Sequence, residues 1–514
     1  MSCAPVKPVL SFDMQNSTED HGEKNKRDQF TKILVISLIL TVIFHVLPAN
    51  GFYGLAFFVF VLSLSYGITY IARLERPMKN KWAYWFLAPV VISSVANLLY
   101  AGSVVRGLSL LIVFVSLVFY AYWACNAPIG FSDLVTFWPF KLFKDTIWPF
   151  GSLGRALSRF KHDHRLGSVF LGLFIALPFV LLFFVVFVSA DVVFANYFKH
   201  IFNDAQFGEY IFKLIRDFVV LIFFFASGAT MLLRQSKDRV HEPQDAVVNP
   251  FAQTVYVTFL SSLNILFFVF VIFQLAYFFG GQDYVLSQGL TYADYARHGF
   301  FELLLASGMV LAIVSAIYYL SGLKLRLTRF FTLALIVQTG IIIVSALHRL
   351  FIYVMVYGLS VQRWWAAFCI ILIAVVLLMV FVAGLKQYVY HLTAKVIFIA
   401  VLLVSSSALL VNSEALVARY NIDRFLSGQT NVFDPDYLNR LSEDAIPEIA
   451  PLVQTPWPTA DFAEHSVVWE LQREYYYKLL LSKKEAVNEK IRKNWRTLSL
   501  SHIRASAAMD SLKD

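Results

Sequence analysis

The stretch RLGSVFLGLFIALPFVLLFFVVFVSA, residues 165–190, carries a single charge, at its first position. Roughly 20 mostly apolar residues suffice to cross a hydrocarbon layer about 30 Å thick. Inside that layer a chain must satisfy its own backbone hydrogen bonds, and a helix does so within one segment. Such runs recur at 31–47, 51–72, 82–100, 107–124, 167–190, 213–233, 255–279, 299–320, 330–350, 364–384 and 393–411. A composition of 58% hydrophobic and 15% charged residues, with a mean hydropathy of +0.64, lies outside the range of soluble domains. The expected fold is therefore all-α: a polytopic membrane helix bundle of about eleven transmembrane helices, with a small helical tail outside the membrane.

The net charge of +9 points to the lipid bilayer and not to nucleic acid, because the positive residues are sorted by loop. With the N-terminus in the cytosol, 22 Lys and Arg fall in inner segments and 7 in the outer connections before the last span. Arg73, Arg76, Lys79 and Lys81 form one inner cluster, and Lys324, Arg326 and Arg329 another. This is the positive-inside pattern. It predicts a multi-pass membrane protein with a cytosolic N-terminus and, from the odd span count, an outer C-terminal tail. The region 330–384 reads as one span, two spans or a re-entrant segment, and the side of the tail depends on which.

The organisation follows. Residues 1–30 are polar and lack a cleavage signal, which reads as a disordered cytosolic tail. Spans one to four occupy 31–124 and spans five to eleven 167–411. The connection 125–166 mixes Leu134, Phe137, Trp138, Ile147 and Trp148 with Lys141, Lys144 and Arg155, a pattern of short helices lying in the inner headgroup region. From 412 to 514 the chain turns polar. Asp434 followed by Pro435, and Ser442 followed by Glu443 and Asp444, are helix-start signals. Two further helices are expected over 462–482 and 484–496. Cys3, Cys125 and Cys369 give neither a disulfide framework nor a metal-ligand spacing.

Ionisable groups at membrane depth are costly and mark structural or functional pairs. Here they are Glu302, in the eighth span, and His348 with Arg349, near the outer end of the ninth. Spans eight and nine are joined by a short inner connection, so Glu302 and Arg349 share a leaflet, and an ion pair between them is expected. Just before the eighth span, TYADYARHGFF reads as a helix start: Thr291 and Asp294 form a capping box, while Tyr292 and Tyr295 belong to the interfacial aromatic belt. Arg297 and Glu302 are not needed by such a cap. Asp191, at the outer end of the fifth span, and Arg363 complete the candidate cluster. Asn97, Asn264, Gln274 and Gln338 are expected to hold helices together through hydrogen bonds.

Tests for catalysis fail: there is no P-loop, HExxH, GxSxG or Cys/His ligand cluster. No catalytic residue, metal or cofactor is assigned. Three functional classes remain. One is a non-catalytic scaffold, sensor or envelope-assembly subunit, with another envelope protein bound at its outer face. The second is a transporter or lipid flippase with an outer vestibule around Glu302 and Arg349. The third is a membrane enzyme acting on a lipid or envelope precursor.

The segments SADVVF, YADYARHGFFELL, RLFIYVMVYGLSVQRWW, LVARYNIDRF with DPDYLNRLSEDAIPEI, and WRTLSLSHIRA occur in the order of a bacterial multi-pass family. The chain resembles the domain of unknown function four-one-seven-three, or its relative four-one-five-three, over roughly residues 165–505. The resemblance implies a protein of the bacterial cytoplasmic (inner) membrane with about ten spans and a helical C-terminal tail, and brings no activity. Its best-matching positions are Asp191, Tyr292, Tyr295, Arg297, Gly299, Phe300, Tyr357, Gly358 and Arg363, then Arg419, Tyr420, Asn421, Asp436, Tyr437, Leu438, Asp444, Trp495 and Arg496.

Overall fold

The structure is a computed structural model. It describes residues 31–46, 53–75, 81–125, 165–199, 250–287, 299–321, 323, 325–388, 390–429, 434–455, 466–493 and 498–511. All regular elements among them are helical. In chain order they are α1 (Thr31–Val46), α2 (Gly54–Glu75), α3 (Leu87–Leu99, entered through a 3-10 turn at Lys81–Phe86), α4 (Ser103–Cys125), α5 (Arg165–Ala190) and α6 (Val192–Lys199). Then come α7 (Pro250–Ser287), α8 (Phe300–Ser321), α9 (Arg326–Tyr357), α10 (Val361–Lys386) and α11 (Tyr390–Ala408). The tail holds α12 (Ser413–Leu426), α13 (Pro435–Arg440), α14 (Ile446–Ile449), α15 (Ser466–Lys493) and α16 (Leu500–Asp510).

Eight described helices are long and apolar enough to cross a membrane, and nine if α11 and α12, bent by 54°, count as one broken span. The expected count of eleven differs for three reasons. The helix α1 is shorter than a span, α11 passes the length test only together with α12, and the segment 213–233 lies outside the described residues. The segments 1–30 and 125–166, apart from Cys125 and the start of α5, lie outside them too. The region 330–384 resolves into two helices. HRLFIYVMVY continues α9 to Tyr357, where Gly358, at φ 77°, ends it, and Ser360 caps α10 by accepting from Arg363 N. In the tail, the two helices expected over 462–496 are one helix, α15. Its middle, SKKEA, contains no Gly or Pro to stop it, and a Glu474–Lys478 pair at helical spacing supports it.

The chain divides into two compact units, Met1–Pro128 with Leu402–Asp514, and Ile129–Val401. In the second unit α5 packs along α7, α7 along α9, and α9 along α8 and α10. The α5–α7 seam is filled by rings: Phe183, Phe187, Phe267 and Phe270 are fully buried, and Phe187 stacks on Phe270 with centroids 3.9 Å apart. Such pairs add roughly 0.5–1.5 kcal/mol each beyond their area. One end of this unit is basic, with Arg165 opening α5, Arg326 and Arg329 in the first turn of α9, and Lys386 closing α10. The other end holds Ala190, Gly299 and Arg349.

In the first unit α2, α3 and α4 pack on one another. Asn97 ties them at one end, accepting from Gly54 N at 2.8 Å and donating to Ser109 Oγ at 2.8 Å. The tail helices dock at this same end: Leu55 N donates to Leu498 O, and Tyr100 Oη donates to Leu410 O. Arg73 and Lys81 mark the opposite end.

Candidate functional site

Each unit concentrates its buried ionisable groups at one end, and each cluster is built differently. In the second unit the backbone leaves α5 at Ala190, and Asp191 starts α6. Asp191 Oδ1 accepts from Val193 N at 3.0 Å and Phe194 N at 2.9 Å, a helix N-cap. Its other oxygen faces inward. Arg349 Nη2, on α9, donates to Asp191 Oδ2 at 2.6 Å, and Arg349 Nη1 donates to Ala190 O at 2.9 Å. Gln274, on α7, lies between them: Nε2 donates to Asp191 Oδ2, while Oε1 accepts from Arg349 Nη2 and, at 2.6 Å, from Ser345 Oγ. The two charged side chains are 1% and 0% exposed.

Gly299 closes this cluster at the mouth of α8. Its φ is +93°, and a Cβ there would stand 2.0 Å from Ala190 O and 2.7 Å from Arg349 Nη1. Only glycine allows that approach and that backbone angle together.

The expected Glu302–Arg349 pair is therefore corrected: the carboxylate on Arg349 is Asp191. The helix does not run through Gly299, so α8 begins at Phe300 and Glu302 lies in its first turn, where an acid suits the helix dipole. Glu302 is half-buried, three residues after Gly299. His348, next to Arg349 in sequence, points outward and is exposed. Arg363 serves the end of α9, donating to Tyr357 O and Gly358 O with its guanidinium 3.9 Å over the Tyr353 ring. Tyr292, Asp294, Tyr295 and Arg297 lie outside the described residues. Gln274 was legible as an intramembrane amide, whereas Ser345 carried no sequence signal.

In the first unit Asp444 is the centre. Ser442 and Asp434 cap their helices as their sequence positions suggest, accepting from Asp444 N and Tyr437 N. The Ser442 cap turns Asp444 toward the α3–α4 connection, where its Oδ2 accepts from Ala101 N and Gly102 N, both at 2.8 Å, and from Ser442 Oγ. Glu414, on α12, reaches the same place. Its Oε2 accepts from Ser442 N, and a Cβ on Gly102 would stand 2.6 Å from its Oε1 and 3.4 Å from Asp444 Oδ2. Glu414 and Asp444 are 8% and 5% exposed, and neither has a cation at ion-pair distance among the described residues.

The surrounding charges are engaged elsewhere. Lys490 Nζ binds Glu443 Oε1 at 2.6 Å, Lys483 Nζ donates to Asn439 O at 2.7 Å, and Arg106 lies over the Tyr53 ring. Burial raises the Glu414 carboxyl above its usual range, the neighbouring Asp444 and Glu443 charges add to this, and the Ser442 hydrogen bonds oppose it. Burial also acts to raise Glu443, but the Lys490 hydrogen bond and charge outweigh it and hold that carboxyl low. Burial lowers Lys483 and the buried His502, whose Nδ1 accepts from Ser499 N. Of the other tail candidates, Arg419 makes an exposed pair with Asp423 at 3.7 Å, Asn421 is half-buried, and Asp436 is exposed on α13. Trp495 and Arg496 lie outside the described residues. Among the described residues no group of three His, Cys, Asp or Glu side chains could hold a metal ion.

Residues 35–452 match the family described as Domain of unknown function (DUF4153). The chain belongs to this family. It is the second of the two families that the sequence segments suggested, and the match starts far earlier than residue 165 and stops at 452, before α15 and α16. The DUF4153 region thus includes both polar clusters up to Asp444, with the helices α2–α5 and α7–α10 that are apolar enough to span a membrane. No curated protein and no solved structure matches the chain.

Proposed function

We propose that this DUF4153 protein is a non-catalytic scaffold, sensor or envelope-assembly subunit of the bacterial cytoplasmic membrane, with its tail presented at the outer face to another envelope protein. The observation that carries this reading is the state of Arg349. Its guanidinium, 1% exposed, is bound to Asp191, Gln274 and Ala190 O, so this buried charge joins α5, α7 and α9 to one another. A transporter needs intramembrane charges that substrate or water can reach. The proposed topology has eleven spans: the eight clear helices, α1, the segment 213–233, and α11 with α12 turning out of the membrane. Two facts support an outer tail. In the first unit the tail docks at the end away from Arg73 and Lys81, and in the second the Asp191 cluster is at the end away from Arg165, Arg326, Arg329 and Lys386.

Cysteine accessibility tests both parts in a chain whose Cys3, Cys125 and Cys369 are replaced by Ser. The expected result is that S345C resists membrane-permeant thiol reagents in native membranes until the protein is denatured, while S482C reacts with an impermeant reagent on intact cells whose outer barrier is opened. Rapid labelling of S345C in the folded protein would transfer the case to a transporter or flippase. Labelling of S482C only in inverted vesicles would place the tail in the cytosol. A photo-crosslinker at Tyr475, 54% exposed, should capture one defined envelope protein in cells; capture of lipid alone would remove the scaffold reading.

A further inference from the structure

The Glu414–Asp444 pair has no role in the reading above, and its chemistry is unusual. Two carboxylates converge on one backbone position, Gly102, both more than nine-tenths buried and neither facing a cation at ion-pair distance among the described residues. Buried like charges without a counter-ion do not both stay ionised; one takes a proton. Hydrogen bonding points to Glu414: Asp444 Oδ2 accepts three hydrogen bonds, from Ala101 N, Gly102 N and Ser442 Oγ, whereas Glu414 accepts from Ser442 N, and burial raises the Glu414 carboxyl.

These residues also join the tail to the spanning helices of its own unit. Glu414 comes from α12, Asp444 from the turn after α13, and Gly102 from the α3–α4 connection. We infer that the junction of α12, the Ser442–Ala445 turn and Gly102 is a proton-linked latch: one proton held by Glu414 beside Asp444 keeps the tail docked, and its loss loosens the tail. When Glu414 releases that proton to solvent, two negative charges press on the same backbone, and the relief open to them is separation of the turn from Gly102.

Groups from every packed element bear on this latch. Asp444 and Glu443 lie on the turn, Lys483 and Lys490 on α15, His502 on α16, and Arg106 on α4. Their signs differ. The docked-state value of Glu414 is raised, so its contribution is complete below about 4.5, the unperturbed carboxyl value, and is lost as pH rises through the docked value. The docked value of Lys483 is lowered, so its contribution grows with rising pH and cannot produce an alkaline loosening. His502, also lowered, acts at acid pH, where docking weakens as pH falls below about 6.5. Tyr100, whose hydroxyl donates to Leu410 O, is also raised by burial, and its contribution is complete below about 10 and lost only above that, so a loss of docking between pH 6.5 and 9 reports Glu414.

The experiment uses the full chain in lipid nanodiscs. Hydrogen exchange of the peptide covering Ala101 and Gly102 is followed from pH 6.5 to 9 and corrected for the intrinsic exchange rate. Expected is a fall in protection that approaches about tenfold per pH unit below the docked Glu414 value, the slope of one proton, and levels off above it. E414Q, isosteric and always neutral, should stay protected throughout, and K483M should keep the wild-type slope. A flat wild-type profile would overturn the latch, and so would a slope that persists in E414Q or disappears in K483M. Because the wild-type profile decides by itself, the test survives if E414Q does not fold. The latch does not depend on the side of the membrane that the tail occupies.

Discussion

The two buried clusters use the same residue types to opposite ends. In the second unit Asp191 meets Arg349, and Gln274 and Ser345 add hydrogen bonds to the pair, so one network locks three helices together. In the first unit Asp444 meets Glu414, and the cations nearby are bound to other groups. A buried charge pair of opposite sign is insensitive to pH in the physiological range, because neither member gains by changing its proton. A buried pair of like sign responds to pH, because its energy changes with one proton. The contrast separates a rigid end from an adjustable one.

Four comparisons sharpen or break that contrast, in order of expected size. The largest effect belongs to G299A. Its Cβ would meet the Ala190 carbonyl at a positive φ, a clash with backbone that nothing can relieve, and folded yield in detergent should collapse. The matched change G102A meets only the end of the Glu414 side chain, and should cost far less. Equal losses would remove the distinction between a rigid and an adjustable end.

Next is R349M, which leaves Asp191 buried without its cation and should cost about 3–5 kcal/mol, read as a large fall in thermal stability. The double variant D191N/R349M keeps an N-cap for α6 and removes both charges, and it should recover most of that loss. If the double variant were no better than R349M, the pair would not be the unit of the network.

A smaller effect comes from acid. Burial lowers His502, whose Nδ1 accepts from Ser499 N. Its folded value is lowered, so the stability it confers is complete above about 6.5 and is lost as pH falls through the folded value. Proteolysis of α16 should accelerate below that point in the wild type and lose this pH dependence in H502Q.

The smallest effect is R419A. Its pair with Asp423 is about 70% exposed and 3.7 Å long, and removing it should change stability by less than about 0.5 kcal/mol. A loss comparable to that of R349M would mean that Arg419 binds a partner through a surface the isolated chain leaves open.

How much of this was readable beforehand follows from the range of each interaction. Helix positions were readable because hydrocarbon demands unbroken apolar runs, and eight of the eleven appear as helices of spanning length. The caps at Asp434 and Ser442 were readable because they act over two or three residues. The partner of Arg349 was not. Sequence proximity of spans eight and nine favoured Glu302, whereas Asp191 lies 158 positions away and reaches Arg349 only because α5 ends against α9. Glu302 was misplaced for a local reason: the run from TYADY into FFELL looks like one helix, and Gly299 at φ +93° interrupts it.

Composition and charge order by themselves determined that this chain is a multi-pass helical membrane protein, because both the cost of burying polar backbone and the sorting of Lys and Arg act on local sequence. The family segments added its membership. Tertiary structure alone decided which acid faces Arg349 and which acid faces another acid. In a buried site the energy of a charge is set by what stands within a few ångströms, and chain folding brings those neighbours from 158 positions away at Arg349 and from more than 300 at Asp444 and Gly102.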